Sequence, residues 1–198
     1  VEYTGTTTYT GLIAGNTYKH LIFNGVGGEW KAAGEVTING NLTISNGTFN
    51  LNGQNLILNA ATVFSNEGTV KLQGNETITM LDAQQDINSG TWCYIGRNAS
   101  ENLTIRDFGD NDYYHLVIND ANDSKATFVL GTTLNVDCNL TLTLGTLDVS
   151  ENNYTITAAG NWSDTGAGSF NERAGKVVFD GTSTINSNEA FYDVEIAG

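Results

Sequence analysis

"GNLTISNGTFNLNGQNLILNAA" (residues 40–61) and "CNLTLTLGTLDVSENNYTITAA" (residues 138–159) carry one pattern at an offset of 98 residues. In and around the first copy, apolar residues come as φ-x-φ pairs: Val36/Ile38, Leu42/Ile44, Phe49/Leu51, Leu56/Leu58, then Val63, then Val70/Leu72. The period of two inside each pair is that of a strand. Successive pairs start six or seven residues apart, with Asn39-Gly40, Asn46-Gly47 and Asn52-Gly53 between them. Asn-Gly accepts positive φ at low cost and marks a turn. A helix with a seven-residue step would lose about 1 kcal/mol at each of these glycines, and Thr and Val favour extended backbone. The unit is therefore strand, turn, strand.

Two chain paths fit that unit. Each Asn-Gly can close a hairpin, giving an antiparallel meander or β-sandwich. Alternatively each short strand turns a corner, and three make one rung of about 20 residues in a parallel β-helix, or β-solenoid. "SNG" at 45–47 recurs as "SNEG" at 65–68, about one such rung on, and an isolated hairpin of four-residue strands is marginal. The solenoid is the expectation. Its interior takes the φ positions and their counterparts Leu134, Val136, Leu140, Leu142, Leu147, Val149, Tyr154, Ile156, Val177 and Phe179.

Further landmarks repeat. "TYKHLIFN" (17–24), "YYHLVIND" (113–120) and "FYDVEIAG" (191–198) match, as do "VEYTGT" (1–6), "WCYIGR" (92–97) and "VVFDGT" (177–182). They divide the chain into a first module, 1–112, and a second module with the start of a third, 113–198, in one continuous solenoid. The abrupt start inside a strand-like pattern suggests a processed or excised form.

Composition agrees. The 198 residues hold 23 Gly and no Pro, which suits many short strands and uninterrupted ladders. With 22 Asp+Glu against 8 Lys+Arg the net charge is −14, so phosphate-rich partners are repelled and nucleic acid is not expected. No apolar run is long enough for a membrane-spanning helix, and membrane insertion is not expected.

The phrases "GNLTI", "AAGNW", "KVVFDGT" and "FYDVEI" resemble the repeat modules of secreted surface and adhesin-like proteins of bacteria and archaea. That resemblance implies a parallel β-helix, an extracellular or cell-surface location, and a role as stalk, adhesin or filament component. "TWCYIGRNASENLTIRDFGDND" (91–112) departs from the pattern and is where an activity peculiar to this chain would sit.

Candidate sites are few. Asp110, Asp112, Asp120 and Asp123 lie in an Asp- and Asn-rich stretch that could offer oxygen ligands to calcium, against the alternative that they cap turns; no other cofactor is expected. Asn-x-Ser/Thr acceptors for glycosylation stand at Asn41, Asn46, Asn75, Asn98, Asn102, Asn122, Asn139, Asn153 and Asn161. Cys93 and Cys138 could form one disulfide, or stay as two small thiols. Trp30, Trp92 and Trp162 could form a glycan-stacking platform, with Trp30 the most exposed, whereas Trp162 sits near a place that is apolar in the other copy (Val63) and is expected to be buried. His20 and His115 occupy one place in the repeat, which points to a structural duty. No nucleophile elbow, phosphate loop or metal-hydrolase motif is present, so no enzymatic activity is expected.

The two ends share a motif, so their unpaired strand edges suit head-to-tail stacking of copies into a filament, sheath or surface layer. The other reading is an adhesin binding glycans or a surface. Ice is a subcase, through outward threonines such as Thr6, Thr8 and Thr10.

Overall fold

A computed structural model describes residues 1–110, 112–121 and 125–198. It is an all-β parallel solenoid. The first turn holds β1 (Glu2–Tyr3), β2 (Thr8–Thr10) and β3 (Thr17–Tyr18). Then come β4 (Leu21–Lys31), β5 (Val36–Ile38), β6 (Leu42–Asn50) and β7 (Leu56–Leu58), each odd-even pair making one turn. β8 (Phe64–Asn66), β9 (Thr69–Leu72) and β10 (Ile78–Thr79) follow, and then a 3₁₀ turn at Asp82–Gln84. β11 (Thr91–Tyr94), β12 (Asn102–Thr104), β13 (His115–Asn119), β14 (Thr127–Val129) and β15 (Leu134–Val136) span the middle. The C-terminal part holds β16 (Leu140–Asp148), β17 (Ile156–Ala158), β18 (Trp162–Asn171), β19 (Lys176–Phe179), β20 (Ile185–Asn186) and β21 (Asp193–Ile196).

One parallel ladder runs the length of the molecule. Tyr9, Trp30, Phe49, Val70, Trp92, Leu116, Leu140, Trp162 and Ile185 follow one another in register. The eight steps between them take 19 to 24 residues each, so the expected rung of about 20 holds. At ~4.8 Å per strand spacing the column is about 38 Å long. Flanking columns close the triangle: Leu21–Leu42–Phe64 on one side, and Val36–Leu56–Ile78 on the other. Among the described residues no helix is long and apolar enough to cross a membrane.

The alternation inside each strand decides what points inward. Val36, Ile38, Leu42, Ile44, Phe49, Leu56, Leu140, Leu142, Leu147 and Ile156 are fully buried, each contributing about 1.5–3 kcal/mol relative to exposure. Val63 corrects the expected register. It is 61 % exposed, and Phe64 takes the inward place, because the corner before β8 is one residue longer than a strict seven-residue step allows. Trp30 is a second correction. It is buried, stacked on Tyr9 at 5.9 Å and tilted against Phe23 at 5.2 Å. Trp92 and Trp162 are buried as well, so none of the three offers a ring face to a glycan.

The repeat at offset 98 is visible in the backbone. Gly47 and Gly145 both turn the corner inside a long strand at positive φ (82° and 88°). A Cβ on Gly47 would meet the Gly25 carbonyl oxygen at 2.5 Å. Asn52 and Ser150 share positive φ, and the side chain 98 residues apart at Asn50 and Asp148 accepts their amides at 2.8 and 2.7 Å. His20 Nδ1 accepts the Asn41 amide at 3.0 Å, and His115 Nδ1 accepts that of Asn139 at 3.3 Å. Both histidines clip a corner to the next rung.

The two modules do not occupy the same faces. Leu42 lies in the column of Leu21 and Phe64, whereas Leu140 lies in that of Phe49, Val70, Trp92 and Leu116. Phe49 is one face beyond Leu42 along the chain, and four ladder steps lead from Phe49 to Leu140. The offset of 98 residues thus spans four turns and one face, so the second module is rotated by about a third of a revolution. In the first module the long strands cover the first and second faces. In the second they cover the second and third.

Candidate functional site

The aspartates are not gathered. Among the described residues no group of three or more His, Cys, Asp or Glu side chains is placed to hold a metal ion. Asp112 is buried, and its two oxygens accept the amides of Phe108 (2.7 Å) and Asn135 (3.0 Å). Burial foremost pushes its carboxyl up to about 6, with the neighbouring Asp107 adding to the rise. Asp120 is buried too, and one oxygen accepts the amides of Lys125 and Ala126, both at 2.9 Å. Asp110 is exposed, and its backbone carbonyl accepts Asn135 Nδ2. The turn-capping alternative accounts for these groups: backbone amides at the corners need acceptors and take the nearest carboxylate. Asp123 lies outside the described residues.

The disulfide is corrected as well. Cys93 and Cys138 are free thiols. Cys93 faces outward from β11, laddered against Lys71 and Val117, and Val117 is in turn laddered to Thr141. Cys138, at the corner before β16, therefore stands two rungs away, about 10 Å along the axis. That exceeds the Cα separation a disulfide spans, about 7 Å at most. Burial pushes the Cys93 thiol up to about 11, and Cys138 stands against the Tyr114 hydroxyl.

Of the acceptor asparagines, Asn41, Asn46, Asn75, Asn98, Asn102, Asn153 and Asn161 are exposed and Asn139 is half-buried. Asn122 lies outside the described residues. Several stand in rung-to-rung ladders. Asn46 donates to Asn24 at 2.9 Å, which donates to Glu2 at 3.0 Å, and Asn139 Oδ1 accepts the Asn161 amide at 3.0 Å.

The 91–112 departure is absorbed by packing. The Tyr94 and Tyr113 hydroxyls, both buried, are 2.8 Å apart. Tyr94 accepts the Arg106 amide at 2.9 Å and Tyr113 donates to the Arg106 carbonyl at 2.6 Å, which pins the loop over the core. On the first face beside it, side chains replace the ladder. Asp86 accepts the Asn66 amide at 2.7 Å, Gln84 donates to the carbonyls of Asn59 and Thr62, and Gln85 donates to that of Asp112. Open grooves of about 430 and 400 Å³ flank this segment. Their walls hold amides and carboxylates in ordinary turn roles.

What the fold leaves open is its ends. At the C-terminal end Ile185, Tyr192, Val194 and Ile196 are exposed, Tyr192 by 67 % and Ile196 by 66 %. At the N-terminal end Val1, Tyr9 and Ile13 are exposed, and an apolar hollow of about 180 Å³ is lined by Tyr3, Tyr9, Ile13 and Trp30. These seven outnumber the four other large apolar side chains exposed among the described residues. β1, β2 and β3 pair on one side only, as do β20 and β21. Unpaired backbone edges bearing apolar side chains are what a further strand would cover. The sequence marked this site only through the shared end motif. Compared with known protein families, with curated proteins and with solved structures, the chain finds no match in any of the three.

Proposed function

We propose that this chain is a structural segment of an extracellular filament, stalk, sheath or surface layer, joined to its neighbours by stacking end rung upon end rung. The observation that carries the reading is the single parallel ladder, in register through nine strands over an unbroken apolar core, whose edges a further rung in register would extend. Closing such an edge removes apolar surface from water and completes backbone ladders in one step. The contact is heterologous, N-terminal end against C-terminal end, and does not close on itself. Mechanical stiffness follows from the continuous ladder and core. The extracellular placement rests on the resemblance of the repeat phrases and on the exposed Asn-x-Ser/Thr sites; protein from native cells should weigh more than the bare chain.

Assembly is tested by sedimentation velocity and negative-stain microscopy over a concentration series, with Ile185→Lys/Ile196→Lys as control. Both residues are exposed, so the folded rod should survive while assembly is lost. A chain that stays monomeric at every concentration, or whose assembly ignores the double substitution, overturns the proposal.

A further inference from the structure

Asn50 ends β6 on the second face, and its neighbours in register are Lys31 of β4 on one side and Lys71 of β9 on the other. Glu29, two residues before Lys31, reaches into this column from the adjoining one. One carboxylate oxygen, Oε1, accepts Asn50 Nδ2 at 2.6 Å, and the other, Oε2, accepts Lys71 Nζ at 3.1 Å. Lys31 Nζ stands farther off, 3.9 Å from Oε1. Asn50 Oδ1 accepts the Asn52 amide at 2.8 Å. Asn50 is buried, and Lys71 and Glu29 are half-buried. An amine, a carboxylate and an amide carbonyl that already has a donor on its oxygen thus meet at one point. They are the parts of an acyl transfer: nucleophile, proton carrier, leaving group and oxyanion donor. The second module lacks the set. Asp148 stands where Asn50 would, clamped by the Arg173 guanidinium, and Thr127 and Ser169 take the places of Glu29 and Lys71.

We infer that Lys71 and Asn50 join in an isopeptide bond, a covalent staple between β6 and β9 that the chain forms by itself with Glu29 as proton carrier. The lone pair of the neutral Lys71 amine attacks Asn50 Cγ, and the carbonyl electrons move onto Oδ1, where the Asn52 amide holds them. Glu29 takes a proton from Nζ and returns one to Nδ2. The Cγ–Nδ2 bond then breaks, ammonia leaves, and the carbonyl re-forms as the amide that links the two side chains. Holding both nitrogens on one carboxylate makes the step unimolecular. Burial foremost pushes the Glu29 carboxyl up, but the bonds from Asn50 and Lys71 outweigh it and hold the group below its ordinary range. The resting pair is therefore ionised, and alkaline pH, which supplies the free amine, speeds the reaction. The staple adds a side-chain amide to the backbone ladder between two adjacent rungs, so drawing those rungs apart requires breaking a covalent bond.

Mass spectrometry tests the staple on chain made in cells that do not glycosylate, incubated from about pH 7 to about pH 10. The expected result is a loss of about 17 Da, one ammonia, that grows with pH. Cleavage after glutamate separates 36–67, which holds Asn50, from 68–76, which holds Lys71, and the two peptides should stay joined. Lys71→Arg keeps a cation beside Glu29 but removes the nucleophilic amine, and Glu29→Gln removes the proton carrier. Both variants should keep the full mass while their circular dichroism matches that of the parent chain. A parent chain at full mass throughout overturns the staple. So does a joint of 36–67 to 30–35 through Lys31, or an ammonia loss that joins no peptides, as a succinimide at an Asn-Gly step gives. Joined peptides in Glu29→Gln overturn the part assigned to Glu29.

Discussion

Trp92 is the side chain on which the two modules meet, and Trp92→Ala should uncouple them. The indole is buried between Val70 of the first module and Leu116 of the second. Its ring lies 6.0 Å from Phe64, 5.1 Å from Phe108 and 6.2 Å from Tyr113. An indole buries about 200 Å², or ~5 kcal/mol at ~25 cal/mol per Å². Its Nε1 has no hydrogen-bond partner, which offsets roughly 1 kcal/mol of that. With partial collapse of the cavity, ~3–5 kcal/mol should be lost. In a quasi-one-dimensional array each rung feels only its neighbours, so a defect at the centre lets the halves unfold separately. The remaining tryptophans, Trp30 in β4 and Trp162 in β18, each report one half. Urea unfolding followed by fluorescence in Trp92→Ala/Trp162→Phe and Trp92→Ala/Trp30→Phe should give two distinct midpoints, where the parent chain gives one. Coincident transitions with a loss below about 1 kcal/mol would refute the idea that this rung couples the modules.

Other outcomes follow from single groups. Burial by itself pushes the Asp148 carboxyl up, but Arg173 Nε and NH2 at 2.7 and 2.9 Å, the Ser150 amide and Asn171 hold it below the usual carboxylate range. Arg173→Ala removes the cation that holds Asp148 ionised and should lower the urea midpoint, with the Asp148 carboxyl titrating higher than in the parent chain; an unchanged midpoint and titration contradict it. Asp164 points inward where its column holds Tyr94, Ile118 and Leu142, is 5 % exposed, and its Oδ1 has no partner. Asp164→Leu should raise stability by ~1–3 kcal/mol, and a lowered melting temperature counts against this account. Burial lowers the His115 imidazole below its usual range, so the unfolded chain takes up that proton first and stability is lost as pH falls below about 6.5. Asp112 acts oppositely: its raised value lets the folded chain keep a proton that the unfolded chain releases between about pH 4 and 6, so stability rises as pH falls through that window. Urea midpoints from pH 7 to 4 should lose the first slope in His115→Gln and the second in Asp112→Asn; unaltered slopes refute the respective assignment.

The strand pattern was legible because inward and outward residues alternate strictly: Leu42/Ile44 and Leu140/Leu142 are buried as their spacing requires. Corner lengths were not. A seven-residue step predicts Val63 inside, but a corner can take an extra residue without disturbing the strands on either side, and Phe64 is the one buried. The same freedom hid the rotation between modules. The repeat reports which residues correspond, while the face on which each lands depends on summed corner lengths. Asp112 and Asp120 read as cation ligands because sequence gives their number and not the direction of nearby amides. His20 and His115 were readable, since one residue at one repeat position has one job, here accepting an amide from the next rung.

Because the 98-residue unit fills a whole number of turns plus a face, any surface feature copied along with it reappears around the side of the rod, not above the original. A chain lengthened by such duplications would display its outward residues along a spiral, and a flat partner could touch only one copy in three. Inserting or removing about seven residues, a single face, would re-aim every downstream feature while leaving the buried columns matched.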